Sequence, residues 1–189
     1  MAHVFKGVFL MSTVEPIRSL KDLRKIKSIL SSNPRDLLLF TLGINSGLRI
    51  SDLLALNVGD VKNKEFIQLI EKKTKKFKKF PINKKLKLMF EDYVVDKPDE
   101  EPLFASKFNN RMSRVTAYYV IKQTCEKLHP ETTFGTHTMR KTFGYHHYKK
   151  YRDIAILQKI FNHSSPSITL RYIGIDEESI YKSYMDFCL

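Results

Sequence analysis

Residues 136–174 read THTMRKTFGYHHYKKYRDIAILQKIFNHSSPSITLRYIG, and the rest of the fold can be worked out from this stretch. Thr136 suits an N-cap, which sets His137 and Arg140 three residues apart on one face of the first turns of a helix. DIAILQKIF repeats apolar residues at helical intervals and breaks at Asn162, after which Ser165-Pro166 opens a further short helix carrying Tyr172. His163 lies at the break, nine residues before Tyr172. These side chains suit work on a phosphate. Arginine offers a planar fork of donors for two phosphate oxygens, histidine moves a proton near neutral pH, and tyrosine supplies a hydroxyl nucleophile.

Upstream, Ser19 and Asp22 make a capping-box-like start for a helix with Leu20, Leu23, Ile26 and Leu30 on its apolar face, and residues 1–18 read as a lead-in. Asn33-Pro34 starts a second helix whose LLLFTLGI is apolar all round, as a central buried helix requires. Asn45-Ser46-Gly47 stops it, and a third helix begins near Arg49. Read alone, Arg49 is a surface residue paired with Asp52 one turn on. FIQLIE and FKKFPI are β-compatible runs flanking the basic turn KKTKK, which predicts a hairpin. Asn83 caps a helix running to about Val95, LFAS at 103–106 is expected to add a third strand, and Ser113 opens the helix RVTAYYVIKQTCEKL.

The chain has 189 residues, enough for one domain with a full core, and 33 Lys and Arg against 20 Asp and Glu leave a net charge of +13. A polyanionic partner follows, nucleic acid before a membrane surface. The longest apolar run, near Leu37 to Leu42, is far short of the roughly 18 residues of a membrane span. The opening lacks the charged n-region of a secretory signal, so the expected compartment is the cytoplasm. The two cysteines, Cys125 and Cys188, read as unbridged, and Cys125 with His129 lacks the further ligands of a metal site.

The ordered set His137-Thr-Met-Arg140, then His163-Ser-Ser-Pro-Ser-Ile-Thr-Leu-Arg-Tyr172, resembles the signature of the tyrosine recombinases, or phage-type integrases. The resemblance extends to Gly47-Leu-Arg49-Ile-Ser-Asp52-Leu, where that family has its first catalytic arginine, and to Lys73-Thr74 eight residues before Pro81, where it has a catalytic lysine. It departs from the pattern at Asn162, where glycine is usual, and at Lys141, where a second histidine often follows the arginine.

The resemblance covers about residues 19–174. It implies a mainly helical fold with a small antiparallel β-sheet (α+β), a catalytic domain at 19–175, and a C-terminal helix at 176–189. The implied activity is site-specific cutting and rejoining of DNA through a 3′-phosphotyrosine, with no metal or cofactor. The implied catalytic set is Arg49, Lys73, His137, Arg140, His163 and Tyr172, with Asp52 orienting Arg49 and with Lys72, Lys75, Lys76 and Lys141 on DNA. The implied partners are double-stranded DNA, further copies of the chain in a tetramer and accessory DNA-bending proteins, and in a bacterium the protein would be nucleoid-associated. A type IB topoisomerase and a catalytically inactive DNA-binding module are the alternatives. Family members carry a helical domain ahead of the catalytic one, so the resemblance implies either a fragment or a minimal recombinase. In the tail, Ile180, Tyr184 and Phe187 form an apolar stripe that either folds back on its own domain or docks on a neighbouring subunit.

Overall fold

A computed structural model describes residues 14–188, the side chains at 176–180 and 182 excepted. Helices α1 (Leu20–Leu30), α2 (Pro34–Ser46) and α3 (Ile50–Leu53) come first, then the hairpin β1 (Phe66–Ile70) and β2 (Phe77–Pro81). Next are α4 (Lys84–Val94), α5 (Arg114–Glu126), α6 (Thr136–Tyr151), α7 (Ile154–Phe161), α8 (Pro166–Ile173) and α9 (Ile175–Asp186).

The caps follow from local chemistry. Side chains of Ser19, Asn33, Asn83, Ser113 and Ser165 each accept a bond from an amide N–H three residues on, satisfying a donor the helix itself cannot. Gly47 ends α2 at φ 62°, Asn162 ends α7 at φ 54° and Gly174 ends α8 at φ 71°. At α6 the N-cap is Gly135 rather than Thr136, one residue earlier than the sequence suggests. Thr138, already in the helix, accepts the Gly135 N–H with its hydroxyl, the reverse of the contact an N-cap side chain makes.

Two apolar clusters form the interior. The larger packs α1, α2, α4 and α5 around residues such as Ile26, Leu39, Phe40, Leu53, Ile67, Leu86, Phe104 and Ile121. Each of these large side chains contributes about 1.5–3 kcal/mol on full burial. The smaller joins α6, α7 and α8 through Tyr145, Leu157, Phe161, Ile173 and Ile175, with Tyr172 against it.

Among the described residues the sheet has two antiparallel strands, with Ile67 opposite Phe80 and Ile70 opposite Phe77. The expected third strand at 103–106 does not join it. Leu103 and Phe104 are adjacent and both fully buried, which a half-exposed strand cannot offer, and their backbone bonds run instead to Leu56 and Met112. The chain is already packed before residue 19: Ile17 is buried, its N–H donates to Thr142 Oγ1 at 2.9 Å, and its carbonyl accepts from His146 Nε2 at 2.9 Å.

Candidate active site

The turn from α2 into α3, the β-hairpin turn, the start of α5 and the start of α6 surround an open cavity of about 600 Å³. Its lining carries Arg49, Lys72, Lys73, Arg111, Arg114, His137 and Arg140, a concentration of positive charge suited to an anion. Lys75 and Lys76 stand exposed further along the hairpin turn.

Arg140 is 2 % exposed and rigidly held: Nη1 donates to the Gly47 carbonyl at 2.5 Å, and Nη2 donates to the Phe161 carbonyl at 2.9 Å. The Phe161 ring lies under the guanidinium, 4.2 Å from Cζ to the ring centroid. The plane of the guanidinium is thereby fixed, and the same side chain also reaches the Tyr172 hydroxyl.

The Tyr172 hydroxyl lies 3.1 Å from His137 Nδ1. Burial holds the Tyr172 hydroxyl above the usual tyrosine range, although Arg140 and Arg49 pull it down. Burial, then Arg140, Lys141, Arg49 and Lys73, push His137 below the usual histidine range. At neutral pH the pair is thus a neutral phenol beside a neutral imidazole, the state from which a proton can pass from one to the other. His163 packs edge-on to the Tyr172 ring at 5.2 Å between centroids, and its Nδ1 lies 3.0 Å from Thr169 Oγ1. Burial, Arg140 and Arg49 lower it to about 4, so His163 is a neutral hydrogen-bonding group and not a third positive charge.

Arg49 is not oriented by Asp52. Its Nη1 lies 3.1 Å from Glu71 Oε2, while Asp52 Oδ1 accepts from the Lys72 N–H at 2.9 Å. Arg49 is the N-cap of α3, at φ −71° and ψ 151°, so the side-chain spacing that joins residues three apart inside a helix does not apply to it. Arg49 Nη1 and Glu71 Oε1 are buried without a hydrogen bond of good geometry among the described residues.

Lys141 is buried rather than placed on an open basic face. It follows Arg140 on the inward side of α6, and its ammonium lies 5.3 Å from the centroid of the Tyr172 ring.

Glu71, Lys78, Arg111 and Arg114 were not expected at the site. Glu71 is fully buried, its carboxylate touching Arg49, Thr74, Lys78 and Asn162. Burial pushes Lys78 down to about 8, helped by Arg140 and opposed by Glu71, and its Nζ donates to the Ile160 carbonyl at 2.9 Å. Arg111 is pinned by the carbonyls of Leu54 and Leu56 and by Asn57 Oδ1. The signal for Glu71 was present in the sequence, as one acidic residue where the strand meets a run of lysines. A strand pattern alone could not say which way it faced.

The profile described as the phage integrase family matches residues 18–179. The "Probable integrase/recombinase YoeC" of Bacillus subtilis is 48% identical over 179 residues, covering 94% of this chain and 98% of that protein. "Tyrosine recombinase XerA" of Pyrococcus horikoshii is 31% identical over 82% of this chain and 55% of its own length. The chain therefore spans nearly all of the first relative but about half of the second. A crystal structure of XerA recombinase superposes with a TM-score of 0.73 at 19% identity, over 95% of this chain and 66% of that one. A lambda integrase dimer bound to a COC' core site gives 0.68 at 17% identity, over 87% of this chain and 49% of that one.

The chain belongs to the phage integrase family, the site-specific tyrosine recombinases. Its fold is that of their catalytic domain, mostly helical with a two-stranded antiparallel sheet, and a topoisomerase-like reading is not favoured by these relatives. Among the described residues no helix is long and apolar enough to cross a membrane.

Proposed function

We propose that this chain cuts and rejoins double-stranded DNA at specific sites through a tyrosyl phosphodiester, with Tyr172 as nucleophile. The observation that carries this reading is the 3.1 Å approach of the Tyr172 hydroxyl to a neutral His137 at an arginine-lined cavity. The Tyr172 oxygen bonds to the scissile phosphorus as its proton passes to His137 Nδ1, and the bond from phosphorus to the 5′-oxygen breaks. A 3′-phosphotyrosine and a 5′-hydroxyl result, the latter taking its proton from Lys73. Attack by the 5′-hydroxyl of a partner strand reverses these steps and expels Tyr172. Negative charge gathering on the non-bridging oxygens is met by Arg49 and Arg140, and His163 donates or accepts a hydrogen bond there as an uncharged group.

Lys72, Lys75 and Lys76 meet the phosphate backbone beside the cut, and Arg111 and Arg114 extend that basic surface. The fold relationship to a dimer bound to DNA supports an oligomer on DNA. A tetramer is the assembly strand exchange between two duplexes calls for, with DNA-bending proteins as accessories and a cytoplasmic, nucleoid-associated location. Tyr184 of α9 and Phe187 just after it are exposed, which supports docking of this end of the chain on a neighbouring copy. The Ile180 side chain of the expected stripe lies outside the described residues.

The test is to incubate the protein with nicked or supercoiled DNA, denature it and look for protein covalently joined to DNA. Tyr172→Phe should abolish the adduct while DNA affinity and melting temperature stay near wild type, since one hydroxyl bond is worth about 1 kcal/mol. An adduct that persists in this variant would falsify the assignment.

A further inference from the structure

The hairpin turn that carries Lys73 has few apolar anchors: Lys72, Lys73, Lys75 and Lys76 are all exposed. Something else must fix its position against Arg49 and the α7–α8 junction, because a general acid works only within hydrogen-bond reach of the leaving oxygen. One carboxylate touches all three. Glu71 Oε2 accepts from the Thr74 hydroxyl at 2.5 Å and from Asn162 Nδ2 at 2.9 Å, and it lies 3.1 Å from Arg49 Nη1. Glu71 Oε1 lies 3.7 Å from Lys78 Nζ, and the Lys75 N–H donates to the Glu71 carbonyl at 2.9 Å.

We propose that Glu71 is a positioning residue for strand cleavage, a buried anionic hub that ties the turn holding Lys73 through Thr74, the Arg49 guanidinium directly, and the His163 junction through Asn162. This rests on the reading of Lys73 as the proton donor to the 5′-oxygen.

Three contacts from chain segments as far apart as residues 49, 74 and 162 converge on a single side chain that is fully buried. Burial alone would neutralise the carboxylate. The Thr74 hydroxyl, Lys78, Arg49 and the Asn162 amide together outweigh it and hold Glu71 below the usual carboxylate range. The charge is therefore present at neutral pH. Breaking one arm leaves a buried anion less well satisfied and lets the segment on that arm move. Lys78 anchors the same junction from the other side through the Ile160 carbonyl, next to the Phe161 carbonyl that Arg140 holds.

The experiment compares Thr74→Val, Glu71→Gln and Lys73→Ala on two substrates, ordinary DNA and DNA with sulfur in place of the scissile 5′-oxygen. A thiolate leaves without a proton, so a defect that acts only through the general acid disappears on the second substrate. Thr74 is half-buried in the hairpin turn, and valine keeps its shape while removing the hydroxyl, so a thermal melt of the variant checks that the fold is intact. Thr74→Val should slow cleavage of ordinary DNA by about 10-fold or more, within the roughly 10²–10⁴-fold span of general acid catalysis, and cleave the sulfur substrate at the wild-type rate. Glu71→Gln should be slower still and recover only in part, because its Arg49 arm is not concerned with the leaving group. If Lys73→Ala is rescued but Thr74→Val is slow on both substrates, or normal on both, the proposal is overturned while Lys73 keeps its role. Full rescue of Glu71→Gln would overturn the claim that Glu71 also holds Arg49. If Lys73→Ala itself is not rescued, the reading of Lys73 falls and the Glu71 proposal falls with it.

Discussion

Gly144→Ala puts the coupling between packing and chemistry to a quantitative test. Gly144 lies inside α6 and faces the smaller core cluster. A Cβ built there would sit 2.6 Å from Ile173 Cγ2 and 2.8 Å from both Phe161 Cε2 and Cζ. Ordinary carbon contacts are about 3.5–4.0 Å, so Ile173 and Phe161 must each give way by roughly 1 Å. In an exposed helix the substitution would stabilise by about 1 kcal/mol. Overpacking costs about 1–3 kcal/mol, so the net change is a loss of about 0–2 kcal/mol. At about 2–4 °C per kcal/mol for a chain of this size, the melting temperature should fall by up to about 8 °C. Activity should suffer more than stability. Phe161 supports the Arg140 guanidinium and faces the Tyr172 ring at 5.6 Å, and Ile173 directly follows Tyr172, the proposed nucleophile. A displacement of about 1 Å at reacting groups can cost about 100-fold. Single-turnover adduct formation and a thermal melt on the same preparation decide the matter. A raised melting temperature with wild-type cleavage would show that α8 yields freely, and that this contact does not set the position of Tyr172.

The pH dependence follows from the proposed role of His137 as proton acceptor. Its ordinary value of 6.5 is lowered in the fold, so the rate of adduct formation should rise with pH to a plateau whose midpoint lies below 6.5. A rate that falls with rising pH across that window would remove His137 from the role. Stability has the same sign: between about 4 and 6.5 the unfolded chain binds a proton at His163 that the folded chain refuses, so thermal stability should be lost as pH falls through that range. For α9, Tyr184 and Phe187 are 81 % and 70 % exposed, so alanine at both should leave the monomer's melting temperature unchanged and abolish assembly on DNA in sedimentation. A destabilised monomer with normal assembly would place the pair in the core of its own chain.

The parts of the fold that were legible in the sequence are those fixed by neighbours in the chain. Ser19, Asn33, Asn83, Ser113 and Ser165 cap helices because a short polar side chain reaches an amide three residues on, and nothing distant interferes. The hairpin was legible for the same reason. The partner of Arg49 was not. Asp52 is near it in sequence and Glu71 is near it in space, and choosing between them requires knowing that Arg49 precedes its helix and that the strand ends with Glu71 turned inward. The burial of Lys141 was equally hidden, since it depends on which side of α6 meets α8. The third strand failed because LFAS has strand-like composition but no alternation, and its first two residues, Leu103 and Phe104, are both fully buried.

The position of Tyr172 relative to Arg49 is a property of the joint between the two cores. Arg49 lies between Leu48 and Ile50, and Glu71 follows the strand of Ile67 and Leu69, all of the larger cluster, whereas Tyr172 packs on the smaller one and His163 on its Phe161. Arg140 spans the joint, with one nitrogen on the Gly47 carbonyl at the end of α2 and the other on the Phe161 carbonyl at the end of α7. Gly47 is suited to this by its φ of 62° and by its lack of a Cβ, which would lie 2.5 Å from Phe143 Cδ1. The guanidinium proposed to meet the scissile phosphate is therefore also the fastener that sets the distance across the joint. A lysine there would keep a positive charge but could not hold two diverging carbonyls in one plane while still facing an anion. Asn162 and Lys78 tie the same junction to Glu71 from the hairpin side. A disturbance of either core thus reaches Tyr172 through Phe161 and its neighbours, even where no residue of the site is replaced.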